Sequence, residues 1–413
     1  MQSNHKIVLF EGELKAGKGH HYDHLVENSF FYKNKGKILW VVNKKFEKKN
    51  LFIPKFVKVL NKIDTGNRKI ALSNLISIFQ ILNISIKNFI KSYYFLLFHL
   101  KFNKKLFIFL YENFFCFPKY FSSFFSTFKN ESLKKGDKII FQTARINDLE
   151  LAYLLSLLDS DIELHIRVIQ LHRKKRLKKF LNILNKINNE NKLFKSIFIY
   201  TETEYQKQEI KKLTGIEVEI FFNNLSFSKK NLTDDVITIG ILGESRFDKG
   251  FYKVPRLIKD LNSNLNKKIN FIIQINNYPQ NLSGVKNELL DLSKKFNNIK
   301  IIQGYINYFE YREILKKISI IPLLHELDQL KFCGSGIVFS SIVNEIPMVI
   351  PKNATYVKNF FKYNSYLEAE NILDYSKKII EIINNYPKFL ECAKKQSFFY
   401  KEKLNKDFLN NRI

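Results

Sequence analysis

Hydrophobic and polar positions follow two alternating rhythms along the chain. Short apolar runs rich in Ile, Val and Phe are separated by longer stretches whose apolar residues recur every three or four positions. Between residues 6 and 222 the runs KIVLFEG, GKILWVVN, DKIIFQTA, IELHIRVIQ, SIFIYTET and VEIFF read as strands. HHYDHLVENSFFYKN, DLELAYLLSLL, RKKRLKKFLNILNKI and EYQKQEIKKLT read as the helices between them. Near-continuous apolar strands separated by helices imply a parallel sheet covered on both faces. Residues 223–235, NNLSFSKKNLTDD, are polar and read as a linker. The alternation then restarts, with VITIGILG, NFIIQIN, IKIIQG, ISIIPL and PMVIP as strands. FYKVPRLIKDLNSNL, GVKNELLDLSKKF, YFEYREILKKI and GIVFSSIVNE are the matching helices, and a helical tail begins near residue 373. The expected architecture is α/β, with two tandem Rossmann-like, doubly wound domains facing a central cleft at the carboxyl ends of their strands. Their expected bounds are 1–222 and 236–372, and helices of 373–413 pack back across the junction.

One segment breaks the rhythm. Residues from about 67 to 133 include NFIKSYYFLLFHLKFNKKLFIFLYENFFCFPKYFSSFFSTF, rich in Phe and Tyr and studded with Lys. Two readings stay open: a pair of amphipathic helices on the first sheet, or a basic-aromatic surface resting on an anionic membrane. Residues 70–86, IALSNLISIFQILNISI, are uncharged. They fall short of the roughly 20 mainly apolar residues that a spanning helix needs. The apolar run in MQSNHKIVLFEG is broken at Glu11, too soon for a secretory signal. The expectation is a cytoplasmic protein without a membrane span, peripheral on the inner face of the membrane if the aromatic segment binds lipid.

Composition narrows the partners. At 413 residues the chain exceeds one ordinary core, and 45% hydrophobic content excludes general disorder. The formal charge of +29 calls for anionic partners. The basic residues are mostly lysine, spread along the whole length with much Asn, Ile and Phe, as an AT-biased coding sequence produces. Arginine, the better reader of bases and bidentate ligand of phosphate, is scarce, so no specific nucleic-acid partner is expected. Cys116, Cys333 and Cys392 form no CxxC pair, which speaks for a reducing compartment and against a disulfide frame or thiolate zinc site.

Three loops carry candidate chemistry. In LFEGELKAGKGHHYDHL, residues 9–25, Gly12, Gly17 and Gly19 follow the first strand and a helix begins near His20 or His21. Glycines let the backbone approach a ligand, and a helix start attracts anions. Tyr22 occupies the place of the third glycine of G-x-G-x-x-G, and no Ser or Thr follows the GK pair, so neither nucleotide fingerprint is present. His20, His21 and His24 match no zinc spacing. The loop is either ligand-facing, through Gly17, Gly19 and His20, or an ordinary strand–helix turn. In ITIGILGESRFDKGFYKVPRLI, residues 237–258, Gly243 ends a strand, then come Arg246 and Lys249, and Gly250 opens a helix. Two cations and a helix start suit a diphosphate, each charge-assisted hydrogen bond being worth about 1.5–3 kcal/mol. The alternative is two exposed loop cations. In FCGSGIVFSSIVNEIPMVIP, residues 332–351, Gly334, Ser335 and Gly336 start a helix, which Ser335 can cap while donating to a ligand oxygen.

Arg145, His165, Arg167 and His172 end strands of the first half. Each can orient an acceptor or serve in a salt bridge or as a core histidine; Arg167 and His172 are the acceptor candidates. The letters DSD at 159–161 stand between a helix and a strand, the wrong context for an Asp-x-Asp metal motif, so they read as a turn.

The second half resembles the donor domain of GT-B glycosyltransferases, close to the retaining glycosyltransferase family four. GILGESRFDKGF is similar to the loop those enzymes place on the donor diphosphate. IIQGYINYFEYREILKKISIIPLL is similar to the strand, glycine and helix before their donor strand, and SGIVFSSIVNEIPMVIP to the block that closes the site. GKGHHYDHL is similar to the glycine loop and following histidine of their acceptor domain. The likeness is specific only from 237 to 351. It implies transfer of a sugar from a nucleotide-diphosphate sugar to a hydroxyl of a glycan or lipid-linked acceptor, in surface polysaccharide or lipopolysaccharide-type synthesis. It also implies retention of anomeric configuration, without a metal or other cofactor. Arg246 and Lys249 would neutralise the departing diphosphate. Ser335, Gly336 and Gly243 would bind the donor, while Gly17, Gly19 and His20 would close over its sugar. The family carries two glutamates seven residues apart in the closing block. When Pro347 is matched, Phe332 and Ser340 fill those places; Ser340 can still bond a hydroxyl, and nearby Glu326 is the candidate replacement for the first glutamate. Two rivals stand beside this reading. One is a non-catalytic basic protein binding nucleic acid or anionic membrane. The other is an enzyme of the same architecture that cuts or epimerises nucleotide sugars.

Overall fold

Strands buried along nearly their whole length dominate the first sheet: β1 (Lys6–Glu11), β2 (Lys37–Asn43), β4 (Lys138–Ala144), β5 (Glu163–Val168) and β6 (Ile197–Thr201). Burial on both faces is what a parallel sheet between helices requires. The computed structural model describes residues 5–12, 14, 20–48, 51–63, 127, 131–158, 161–168, 174–189, 195–223, 225, 236–265, 267–327, 335–358 and 360–405. The aromatic segment 67–133 lies outside these residues except at 127 and 131–133, and so do Gly17, Gly19, His172 and Gly334. The chain divides into two compact units, one of residues 1–168 and 175–200, the other of 169–174 and 201–412.

With β3 (Lys58–Ile63) and the short β7 (Glu219–Ile220) the first sheet has seven strands in the order β3-β2-β1-β4-β5-β6-β7. The pairings among β1 to β5 are parallel. Helices α1 (His20–Tyr32), α2 (Ile146–Leu158), α3 (Lys174–Asn189) and α4 (Glu204–Thr214) fall where the apolar period places them. β3 is a strand that the run pattern does not mark. KVLNKI mixes Lys and Asn among its apolar residues, as an edge strand with one neighbour permits. Trp40 of β2 is fully buried, and its Nε1 donates to Ser29 Oγ at 2.7 Å, which pins α1 to the sheet. α4 starts in a capping box, with Thr203 Oγ1 accepting from Gln206 N at 3.2 Å, and stops at Gly215 with φ 71°.

The second unit repeats the scheme. β8 (Ile237–Ile241), β9 (Ile269–Ile275) and β10 (Ile299–Gln303) form one sheet in the order β10-β9-β8. β11 (Ile321–Pro322), β12 (Met348–Pro351) and β13 (Tyr366–Ala369) form another, in that order. A parallel bridge between Ile239 and Ile320 joins them. The resulting order, third-second-first-fourth-fifth-sixth, is that of a Rossmann domain. β13, four residues long at the far edge, is the second strand the run pattern misses. Around these strands lie α5 (Val254–Asn264), α6 (Ser283–Lys295), α7 (Tyr308–Lys317), α8 (Gly336–Val343), α9 (Thr355–Lys358), α10 (Ile372–Asn384) and α11 (Tyr386–Asn405). Leu257 and Leu261 of α5 and Ile379 and Ile382 of α10 are buried in one core with Ile239, Phe271 and Ile273. Each such side chain contributes about 1.5–3 kcal/mol. α11 lies on α8, where Phe339 meets Phe360 at 4.7 Å and Tyr400 at 6.0 Å. The Tyr400 hydroxyl donates to Asn223 O at 3.2 Å. Among the described residues no helix is long and apolar enough to cross a membrane.

Burial, and then Glu27 one turn further on, push the Asp23 carboxyl of α1 up to about 7. An unfolded Asp titrates at roughly 3.9. Folding therefore disfavours the anion, and the penalty grows as pH rises from about 4 to about 7 and is constant above. Asp23→Asn is expected to raise the Tm at pH 8 by about 3 °C or more and to leave it nearly unchanged at pH 4. Thermal melts at both pH values check this; an equal shift at the two would contradict it.

Candidate functional site

β8 and β11 run together for only a few residues. Ser319 and Ile320 donate their N–H groups to Thr238 O at 2.7 and 3.2 Å, and Gly240 N–H donates to Ile320 O at 2.9 Å. Gly240 makes this approach possible, since a Cβ there would fall 2.3 Å from Ile318 Cδ1. Past this pairing the chain turns from β8 towards β9 on one side and from β11 towards β12 on the other. Such a switch point is where open α/β sheets bind ligands. A small open pocket lies here, walled by Gly243, Glu244 and Lys249 after β8, by Leu324 and His325 after β11, and by Ile337 of α8.

The loop after β8 is held from two sides. Gly243, with φ 109°, donates its N–H to Gln274 Oε1 at 2.9 Å, and Gln274 Nε2 donates to Gly304 O at 2.9 Å. Asn276 N–H donates to Ser245 Oγ at 3.0 Å. Gly250, with φ 69°, sits so close to the segment after β11 that a Cβ would stand 2.0 Å from Leu324 O. Lys249 and Gly243 therefore come to one pocket, as their spacing suggests.

Arg246 is placed differently from the expectation of a cation offered to a diphosphate. Its Nε and Nη2 donate to the two Asp248 oxygens at 2.9 and 2.8 Å, and Nη1 donates to Glu244 Oε2 at 2.7 Å. Two carboxylates on one guanidinium tie it to its own loop, which it braces. Glu326 stands beside the pocket rather than in its wall. Lys253 Nζ pairs with it at 2.7 Å, and the Tyr252 hydroxyl donates to it at 2.6 Å. Burial opposes ionisation of Glu326, but those two partners prevail and hold its pKa below the usual range. Burial and the Glu326 charge push the Tyr252 hydroxyl up to about 12.

Ser335 precedes α8 at the cap position but does not cap it, contrary to expectation. No helix amide donates to its hydroxyl, which is buried and without a partner among the described residues. Its ψ is 115°, against 150° at Thr203 and 164° at Asn307, where cap bonds do form. Gly336 opens the helix and is exposed, while Ser340 is buried on it; neither walls the pocket, which takes Ile337 from this helix.

His325 is a residue that sequence reasoning did not single out. It is 6% exposed, and its Nδ1 has no partner among the described residues. Burial, then Lys249, Arg246 and Lys253, hold its pKa well below the usual histidine value, so the ring is neutral at physiological pH. Only its position, just past the strand ending in Pro322 and next to Glu326, could have marked it.

The first unit has a polar cluster at its own switch point, the carboxyl ends of β1 and β4. Thr143 Oγ1 donates to Glu11 Oε2, and His21 Nδ1 lies 3.1 Å from Thr143 Oγ1 and 3.3 Å from Glu11 Oε2. Because the Thr143 proton goes to Glu11, Nδ1 of His21 is the donor to both. His20, the residue expected at this loop, is the first residue of α1; its neighbour His21 is the one that reaches β4. Arg167 is 3% exposed on β5, and its Nη1 donates to Gln142 Oε1 at 2.8 Å. Asn28 Nδ2 donates to the same oxygen at 2.9 Å. The acceptor candidate is thus buried within a side-chain network. His165 is fully buried, 2.9 Å through Nδ1 from the Tyr200 hydroxyl and stacked on Phe198, which makes it a core histidine.

Two Rossmann-type units, each with its switch point at the carboxyl ends of the strands, are the architecture of the GT-B glycosyltransferases, and the fold is of that class. Solved structures of low sequence identity match it over almost the whole chain. HepE from Anabaena in complex with UDP has 10% identity and a TM-score of 0.61, covering 97% of this chain and 95% of that one. A variant of TarM from S. aureus, in complex with fondaparinux, α-GlcNAc-glycerol and UDP, has 13% identity and a TM-score of 0.60, covering 99% and 98%. Sucrose-phosphate synthase from Thermosynechococcus elongatus has 8% identity and a TM-score of 0.56, covering 97% and 95%. No protein-family model and no curated protein matches the sequence.

Gly250→Ala brings a Cβ against Leu324 O in a backbone conformation that L-residues avoid. It is expected to cost about 3 kcal/mol, read from denaturant melts. A loss below about 1 kcal/mol would show that the loop is not locked at this point.

Proposed function

We propose that the chain is a glycosyltransferase that moves a sugar from a nucleotide-diphosphate sugar to a hydroxyl of a glycan or lipid-linked acceptor. One observation carries the reading: Lys249 and the backbone turn at Gly243 meet in a pocket at the switch point of the second Rossmann-type unit. That is where such sheets bind nucleotides, and a lysine there supplies the charge a diphosphate needs. HepE and TarM, structures of the same fold, hold UDP, and TarM also holds a glycan. By the family resemblance, transfer retains the anomeric configuration and uses no metal, in surface polysaccharide or lipopolysaccharide-type synthesis.

On this reading Lys249 carries the electrostatic stabilisation of the departing diphosphate, a role in which fixed charge costs no reorganisation. Arg246 acts through the loop it braces. The first unit holds the acceptor near the cluster of Glu11, Thr143 and His21.

UDP, GDP or ADP at about 100 times its Kd is expected to stabilise the protein by about 2.7 kcal/mol, and Lys249→Ala to abolish most of that shift. Differential scanning fluorimetry with each nucleotide reads it. No shift with any of them, together with tight polyanion binding that falls steeply with salt, would overturn the proposal in favour of a basic binding protein.

A further inference from the structure

We propose that His325 is a specificity residue of the second unit's pocket, an uncharged N–H donor to a phosphate oxygen of the bound nucleotide. This rests on the nucleotide-sugar reading of that pocket. His325 forms the wall after β11, facing the same space as Lys249 and Gly243. It is 6% exposed, and its Nδ1 is buried with no partner among the described residues. A buried polar atom without a hydrogen bond destabilises the fold that contains it. A leucine of similar volume would remove that penalty. An imidazole held here at a cost is explained if its partner arrives with the ligand.

The surroundings decide what that partner is. Burial first, and then the charges of Lys249, Arg246 and Lys253, keep the ring neutral. The nearby carboxylates do not compete for it: Glu244 is engaged by Arg246 and Asn277, and Glu326 by Lys253 and Tyr252. A neutral imidazole keeps one N–H to give, and the ligand atoms that a lysine-walled pocket draws in are anionic oxygens. An N–H to phosphate oxygen bond satisfies both sides. Because the donor is uncharged, it discriminates by direction, whereas Lys249 attracts as a point charge.

Isothermal titration with UDP, GDP, ADP and inorganic pyrophosphate tests this on the wild type, His325→Leu and His325→Asn, alongside the unliganded Tm of each. His325→Leu is expected to weaken the nucleoside diphosphate that the wild type binds by about tenfold or more, with an unliganded Tm equal to or above that of the wild type. His325→Asn, whose side-chain amide can donate from near the Nδ1 position, is expected to stay within about threefold of wild-type affinity. Wild-type affinity in His325→Leu would overturn the assignment. So would a drop in unliganded Tm together with equal weakening in both variants, which marks a packing role. If the wild type binds none of the four probes, the nucleotide-sugar reading itself fails and this assignment with it. A wild type that binds beside an unaffected His325→Leu removes only the assignment.

Discussion

Gly240 lets β8 lie against Ile318 more closely than any side chain would allow, and the architecture of the second unit depends on that approach. It brings Thr238 and Gly240 into hydrogen bonds with Ser319 and Ile320, and so joins two three-stranded sheets in one order. Only because the strands meet there and then part does a pocket open between the segments that follow them. Gly250 repeats the device at the mouth, where the loop after β8 touches Leu324 O. Two missing Cβ atoms thus set the relation between the two walls.

Charge within the site is distributed less generously than the net +29 suggests. Arg246 is answered by Glu244 and Asp248, and Glu326 by Lys253 and Tyr252. These pairs are partly exposed, and pairs of that kind contribute about 0–1 kcal/mol to stability. Their effect is positional. They hold the loop after β8 and the segment after β11 in register with each other, with Lys249 and a neutral His325 at the pocket wall. The excess lysines elsewhere say little about the chemistry of the pocket.

The first unit follows the same plan with different chemistry. Where β1 and β4 end, it gathers a carboxylate, a hydroxyl and an imidazole. Glu11 and Thr143 hold the His21 ring through its Nδ1. On the proposed reading the lysine of the second unit serves the leaving diphosphate and the cluster of the first unit serves the acceptor hydroxyl.

Much of this was legible in the residues. Buried central strands need unbroken apolar runs, and helices between them need a period near 3.6, so the eleven strands within those runs and the alternation of both units could be read directly. β3 and β13 could not, because an edge strand has a single neighbour and KVLNKI or YLEA need not be apolar throughout. The loop of Gly243 and Lys249 was visible as glycine and cation at the end of a strand. What the sequence by itself determined was therefore the order of elements and the loops that end them. Only the tertiary structure decided which loop residues line the pocket and which close on one another. Glu244 and Asp248 flank Arg246 in the chain, yet nothing in their spacing shows that both will close on it. His325 lies far from Lys249 in sequence and shares a wall with it through the β8–β11 crossing. Partnership between side chains is set by distances in space, and linear spacing carries that information only where one element holds both residues.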